Sequence, residues 1–157
     1  MNFAPESAAV RTLSPFWGEA IRRWEPLILE KASHYGIDPD LVAAVMMVES
    51  GGDPNAVSRS GAIGLMQVMP YDAERFPSRP AAEDLFDPAF NIEWGVRILA
   101  EEIAWAGGNV SKGLMAYYGG RAQAEAGLPR VRLYAARVMA LYEAAVAART
   151  QGEPRAP

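Results

Sequence analysis

Cysteine is absent from this 157-residue chain, and histidine occurs only once, at His34. The lack of cysteine excludes disulfides and thiolate metal sites, and a lone histidine argues against a zinc site. We therefore predict that the protein binds no metal and needs no cofactor. A cysteine-free chain is compatible with any redox compartment, so cysteine usage does not indicate a location.

Long apolar runs and basic runs are missing as well. No stretch reaches the length of a membrane-spanning helix, and residues 1–11 lack the continuous apolar core of a secretory signal. The net charge is −4, and no basic run is long enough to follow a phosphate backbone. We therefore expect no membrane span and no nucleic-acid partner.

The residues that are present favour one helical domain. Half of the chain (50%) is hydrophobic, and the Val and Ile residues recur at helical spacing, which predicts an all-α fold. A chain of this length buries about two-thirds of its unfolded surface, so residues 1–157 suit a single domain. We expect six or seven helices, with loosely ordered ends at residues 1–13 and 150–157.

Four sequence signals predict where helices begin. Ser14-Pro15 predicts the first helix, which Pro26 should kink or restart, and Asp38-Pro39, Asp87-Pro88 and Asn109 are typical of three further starts. Between and after these helices the pattern predicts a loop at 51–60, a short helix at 61–69, a polar linker at 121–129 and a last helix at 130–149.

Glu49 is the first candidate for chemistry. It ends an apolar helical segment, residues 41–48, and Gly51 to Pro54 stop that helix. The unpaired carbonyls of a helix C-terminus and apolar neighbours both disfavour an ionised carboxylate, so the pKa of Glu49 should be raised, as a general acid requires. Taken alone, a surface glutamate at a helix end is the simpler interpretation.

The segment after Glu49 favours a catalytic role over a surface glutamate, because residues 58–70 place Gly61 and Gly64 beside a polar amide and two methionines. Here the chain resembles the lytic transglycosylase family, the relatives of the soluble bacterial enzyme and of goose-type lysozyme. The matching positions are Glu49-Ser50, Pro54, Ser58, Gly61-Ala62, Gly64-Leu65-Met66-Gln67, Met69-Pro70, Ala116-Tyr117 and Gly120. Tyr118 departs from the pattern, since the family usually has Asn there.

The resemblance implies a lysozyme-like α domain over about residues 24–142, with a groove for the glycan strands of peptidoglycan. Glu49 would act first as acid and then as base on the bond between N-acetylmuramic acid and N-acetylglucosamine, leaving 1,6-anhydromuramic ends. It further implies that Ser58 bonds Glu49 or the substrate acetamido group and that Tyr117 orients Glu49. The substrate-binding residues that it implies are Ser58, Gly64, Gln67, Met69, Tyr117 and Tyr118.

The same resemblance implies a monomer that works in the cell envelope, in the periplasm or outside the cell. Two other functions remain open: a hydrolytic, lysozyme-like muramidase such as a phage lysin, and an inactive glycan-binding module. A hydrolase would need a second carboxylate, for which Asp53 is the nearest candidate and Asp72 another. Asp53-Pro54-Asn55 is also typical of a turn in which the Asp side chain bonds its own backbone.

Overall fold

A computed structural model describes residues 12–151 of the chain. Its α-helices are α1 (Glu19–Arg22), α2 (Glu25–Tyr35), α3 (Pro39–Ser50), α4 (Pro88–Trp105), α5 (Val110–Gly119), α6 (Arg121–Ala126) and α7 (Pro129–Gln151). A short 3₁₀ helix, Ala82–Phe86, precedes α4. Within residues 12–151, β structure is limited to isolated bridges, so the all-α prediction is confirmed.

The two ends of the chain fall mainly outside the described residues. Of the stretches expected to be loosely ordered, residues 1–11 and 152–157 are not described. Leu13 is buried, and α7 runs to Gln151. None of the helices in residues 12–151 combines the length and the apolar character that a membrane crossing requires.

Local capping explains why three predicted helices begin where they do. The side chains of Asp38, Asp87 and Asn109 each accept a hydrogen bond from a backbone N–H in the first turn of α3, α4 and α5. Pro26 occupies the first turn of α2, so the predicted restart at this proline is also confirmed.

The predicted helix start at Ser14 is wrong. Residues 15 and 16 form a turn, and the first helix begins at Glu19. The Ser14 hydroxyl donates to the Ala145 carbonyl at 2.6 Å, and its backbone N–H donates to Asp40 at 2.9 Å. Both groups of Ser14 are therefore used to hold α3 and α7 together.

The predicted helix at residues 61–69 and the predicted linker at 121–129 are also wrong. Gly61, Gly64 and Gln67 have positive φ values of 92°, 76° and 51°, which a right-handed helix does not allow. The segment instead folds back on itself through bridges that pair Ile63 with Val57 and Val68. Residues 121–126 form α6, since the run Arg-Ala-Gln-Ala-Glu-Ala consists of strong helix formers.

Helix α3 occupies the centre of the core. Its residues 40–46 are buried, and it packs against α2 on one side and α7 on the other. The buried Asp40 carboxylate accepts hydrogen bonds from Ser14 N–H and Trp17 Nε1, each at 2.9 Å, and pairs with Arg149 at 2.5 Å. Because these partners come from the segment before α1 and from α7, the charge is compensated and the start of α3 is fixed to both.

Candidate active site

Glu49 lies in the last turn of α3, which Gly51 ends in the left-handed conformation. Its carboxyl group is largely buried, and this burial raises the pKa of Glu49 from its ordinary value of 4.5 to about 7. The nearby Tyr134 hydroxyl lowers that pKa by a smaller amount. The raised pKa predicted from the sequence is confirmed, with burial as its largest cause.

Tyr134 is the residue that sequence reasoning missed, because its position on α7 predicted only a core residue. Its side chain is buried beside Glu49, and its hydroxyl has no hydrogen bond of normal geometry within residues 12–151. Burial and the charge of Glu49 raise the pKa of Tyr134 well above its ordinary value, so the hydroxyl remains a donor. The available signal was a hydroxyl group within an otherwise aliphatic stripe of Val131, Val138 and Ala145.

Tyr117 approaches the same site from the end of α5. Its buried hydroxyl donates to the Met66 carbonyl at 2.6 Å, so its acceptor differs from the expected Glu49. Burial and then the charge of Glu49 raise the pKa of Tyr117, whereas the charge of Arg79 lowers it. Tyr117 is therefore close to both charged groups while it anchors residue 66.

The other side of the site is the loop wall, defined as residues 51–80. Ser50 Oγ donates to the Leu65 carbonyl at 2.7 Å, which joins the end of α3 to this wall. Buried Asn91 donates to the carbonyls of Ile63 and Leu85 and accepts from Met66 N–H, each at 2.8 Å. Side chains of the neighbouring helices thus supply bonds that the irregular backbone cannot make to itself.

Gly64 shows how tightly the loop wall is packed. It is buried at φ 76°, and a Cβ atom there would lie 2.4 Å from Asn91 Nδ2 and 2.9 Å from the Leu85 carbonyl oxygen. The close approach expected at this glycine is therefore made by the side chain of α4 that holds the loop wall.

Two predicted substrate residues have contacts within the loop wall itself. Gln67 Nε2 donates to the carbonyls of Ala56 and Gly64 at 3.1 Å, and Ser58 Oγ accepts from Ala62 N–H at 3.0 Å. These bonds shape the backbone of the loop wall.

Met69 and Tyr118 remain at the surface of the site. Met69 is partly exposed, and Tyr118 is 43% exposed. The Tyr118 ring stacks on Tyr134 with a centroid distance of 4.4 Å and an interplanar angle of 8°. The structure therefore connects Tyr118 to Glu49 through the ring of Tyr134.

The two candidates for a second carboxylate are both engaged in turns. Asp53 is exposed and accepts from Asn55 N–H at 2.9 Å, as the turn interpretation predicts. Asp72 accepts from the N–H groups of Arg75 and Glu74, and these bonds lower the pKa of Asp72. Across residues 12–151, no group of three or more His, Asp or Glu side chains is arranged to hold a metal ion.

The comparisons of this chain with known proteins agree on one family. The model of the transglycosylase SLT domain family matches residues 26–132. A transglycosylase of Enterobacteria phage PRD1 is 38% identical over 120 residues, which cover 76% of this chain and 43% of the phage protein. The membrane-bound lytic murein transglycosylase C of Histophilus somni is 42% identical over 85 residues, which cover 50% of this chain and 23% of that protein.

Solved structures show the same fold. An inactive mutant of the lytic transglycosylase Slt from Pseudomonas aeruginosa aligns with a TM-score of 0.70 at 20% identity, over 89% of this chain and 27% of that one. The 70 kDa soluble lytic transglycosylase from Escherichia coli aligns with a TM-score of 0.70 at 23% identity, over 83% of this chain and 25% of that one. The predicted lysozyme-like, all-α fold is confirmed, and the chain spans less than half the length of each of these relatives.

Proposed function

The chain belongs to the transglycosylase SLT domain family, and we propose that it is a lytic transglycosylase that cleaves the glycan strands of peptidoglycan. One observation carries the proposal: a largely buried carboxyl group, Glu49, which forms no ion pair within residues 12–151 and whose pKa is raised to about 7. Such a group donates a proton near neutral pH and, once ionised, accepts one. The curated relatives whose names include transglycosylase support the same reaction class.

In the first step, protonated Glu49 donates to the oxygen that links N-acetylmuramic acid to N-acetylglucosamine. The bond from the muramic C1 to this oxygen breaks, and the substrate's own acetamido group stabilises the positive C1 atom. In the second step, the muramic 6-hydroxyl attacks C1 and gives its proton to the Glu49 carboxylate. Glu49 is then protonated again, and no water has been consumed.

Tyr134 serves both steps as a positioning residue. Its hydroxyl adjoins the Glu49 carboxyl and lowers the pKa of Glu49, so it stabilises the ionised form that exists between the two proton transfers. Tyr117 acts through its bond to Met66, which keeps the loop wall in place. Neither tyrosine exchanges a proton near neutral pH, because both pKa values are raised.

The remaining substrate-binding residues divide into two groups. Met69 and Tyr118 are exposed enough to contact sugar rings directly. Ser58, Gly64 and Gln67 belong to the loop wall and determine the shape of the backbone that the glycan meets. We place the enzyme in the cell envelope, as a monomer.

Water is the competing nucleophile, and the geometry disfavours its use. A glycosidase that activates water needs a second carboxylate roughly 5 to 9 Å from its acid. The two candidates considered from the sequence, Asp53 and Asp72, are held in turns by backbone N–H groups. The bound 6-hydroxyl has a high effective concentration by comparison, so the anhydro product is expected.

Analysis of the digestion products tests this proposal. Purified peptidoglycan is digested, and the released fragments are treated with borohydride and weighed by mass spectrometry. Anhydro ends are one water lighter than reducing ends and resist borohydride. Chiefly reducible ends would indicate a hydrolytic muramidase, and binding without any release would indicate a glycan-binding module.

A further inference from the structure

Arg79 is a partly buried cation in the loop wall. Its Nη1 donates to the Met69 carbonyl at 3.2 Å, and its guanidinium carbon lies 4.9 Å from the centroid of the Phe76 ring. The segment that carries it is closed by a backbone bond of 2.8 Å from Tyr71 N–H to the Pro80 carbonyl. The guanidinium is therefore held in one place before any ligand arrives.

Within the described residues, this cation forms no ion pair. No carboxylate lies within 4 Å of Arg79 among residues 12–151, whereas Arg97, Arg121 and Arg149 each form an ion pair. Burial lowers the pKa of Arg79, and the charges of Tyr117, Glu101 and Glu102, none of which forms an ion pair with it, raise that pKa by smaller amounts. A guanidinium carries five N–H donors, and its one hydrogen bond to protein leaves most of them free.

Arg79 also lies close to the catalytic group. The pKa of Tyr117 responds to the charges of both Glu49 and Arg79, so all three side chains belong to one neighbourhood. Met69, which binds Arg79, stands three residues after Met66, which binds Tyr117. A glycan bound at Glu49 would therefore bring its substituents towards Arg79.

We propose that Arg79 binds a free carboxylate of the peptide carried by the muramic acid residue, an inference that rests on the proposed function. The sugars of the strand are uncharged once the lactyl group is joined to peptide, so the negative groups of the substrate are in that peptide. A planar guanidinium binds a carboxylate through two parallel hydrogen bonds, which gives direction as well as affinity. Arg79 thus selects strands that retain their peptides.

Calorimetric binding to three probes tests the proposal without requiring turnover. The probes are a disaccharide-peptide with free carboxylates, the same fragment with its carboxylates converted to amides, and a peptide-free oligosaccharide of the same sugars. The Glu49→Gln background prevents cleavage. We expect the free-carboxylate fragment to bind about tenfold more tightly than the amidated one, as a charge-assisted hydrogen bond predicts.

Variants assign that difference to Arg79. Arg79→Gln should abolish the preference for free carboxylates and leave the other two affinities unchanged, and Arg79→Lys should keep part of it. Arg75→Gln is the matched control, because the Arg75 guanidinium lies 5.1 Å from the same Phe76 ring but is exposed. The Arg75→Gln variant should bind all three probes with the affinities of the parent.

Equal binding of the free and amidated fragments by the parent overturns the proposal without any variant. Equal weakening of all three probes by Arg79→Gln also overturns it, because it assigns Arg79 to loop structure. The outcome is independent of the product analysis. Carboxylate-dependent binding without anhydro products contradicts the proposed function alone, and anhydro products without that preference contradict the role of Arg79 alone.

Discussion

Two parts of the site, the helix wall and the loop wall, are stabilised in different ways. The helix wall consists of the end of α3 and the middle of α7. Its backbone groups form hydrogen bonds within each helix, and the buried side chains of both helices pack in the core. The loop wall, residues 51–80, is held by side chains such as Ser50, Asn91 and Tyr117 that donate to its carbonyls. Its shape therefore depends on a few individual hydrogen bonds.

This difference between the walls separates the residue that reacts, in the helix wall, from the residues that shape the backbone of the loop wall. Glu49 is largely buried, and its raised pKa suits its carboxyl group to proton exchange near neutral pH. Several polar side chains of the loop wall already bond its own backbone, including the Gln67 amide and the Ser58 hydroxyl. Substitutions in the helix wall should therefore change chemistry, whereas those in the loop wall should change stability and substrate affinity together.

Glu49→Gln should have the largest effect on activity. The amide has the shape of the acid but cannot donate or accept the catalytic proton, so release of soluble fragments should fall by about 10³-fold or more. Circular dichroism should show an intact helical fold. A well-folded variant that releases fragments at a rate near that of the parent would contradict the assignment of Glu49.

The same variant should be more stable than the parent at high pH. The pKa of Glu49 is about 7 in the folded protein against an ordinary value of 4.5, so Glu49 favours folding below pH 4.5 and loses this contribution as the pH rises through 7. This difference corresponds to about 3 kcal/mol. Thermal unfolding of parent and variant should coincide at pH 4 and diverge at pH 8, and equal curves at pH 8 would mean that the acid is not buried.

Gly64→Ala should have the largest effect in the loop wall. The new Cβ would lie 2.4 Å from Asn91 Nδ2, at a φ of 76° that disfavours alanine, so we expect a loss of about 3 kcal/mol or more in the free energy of unfolding. Gly61→Ala is the matched control, since its φ is 92° but no atom lies within 4 Å of the added Cβ. Denaturant unfolding compares the two, and similar losses would show that backbone strain alone sets the cost.

The same difference between the walls explains how far the sequence predicts the structure. The starts of α3, α4 and α5 are local, because Asp38, Asp87 and Asn109 each bond an N–H in the adjacent turn. The fold of residues 61–69 is not local, since it depends on Asn91 from α4 and on positive φ values that the helical pattern does not reveal.

The residues of the candidate site also differ in how far the sequence predicts their roles. Glu49 could be found because the motif of residues 58–70 follows it closely, whereas the carboxylate alone would indicate only a surface glutamate at a helix end. Tyr134 could not be found in this way, because its role depends on the packing of α7 against α3, and its position lies just beyond the range that the family model matches. The acceptor of the Tyr117 hydroxyl, the Met66 carbonyl, likewise depends on a contact across 51 positions of the chain.

Tyr134→Phe tests the role of the Tyr134 hydroxyl, the second polar group of the helix wall. Loss of the hydroxyl removes a polar group that lowers the pKa of Glu49, so this pKa should rise further. The pH at which kcat/KM falls to half should move upward, and its maximum should drop by about tenfold, as expected for the loss of one polar interaction with a charged group. A pH–rate profile measures both, and a lower maximum without a change in the midpoint would assign Tyr134 to packing alone.

The smallest effects should come from the adjacent tyrosines Tyr117 and Tyr118, which contact different walls. Tyr117→Phe removes a bond of 2.6 Å to the loop wall, a neutral hydrogen bond worth about 1 kcal/mol, so KM should rise a few-fold while kcat changes less.

Tyr118→Asn restores the family residue and removes an exposed ring stacked on Tyr134. Because this stacking energy is about 1 kcal/mol and Tyr134 remains supported by the core, activity should stay within about threefold of the parent. Tyr118→Phe keeps the stack and serves as the control. Steady-state kinetics on soluble glycan fragments separates the two residues, and large, equal losses in both would mean that the pair acts only in core packing.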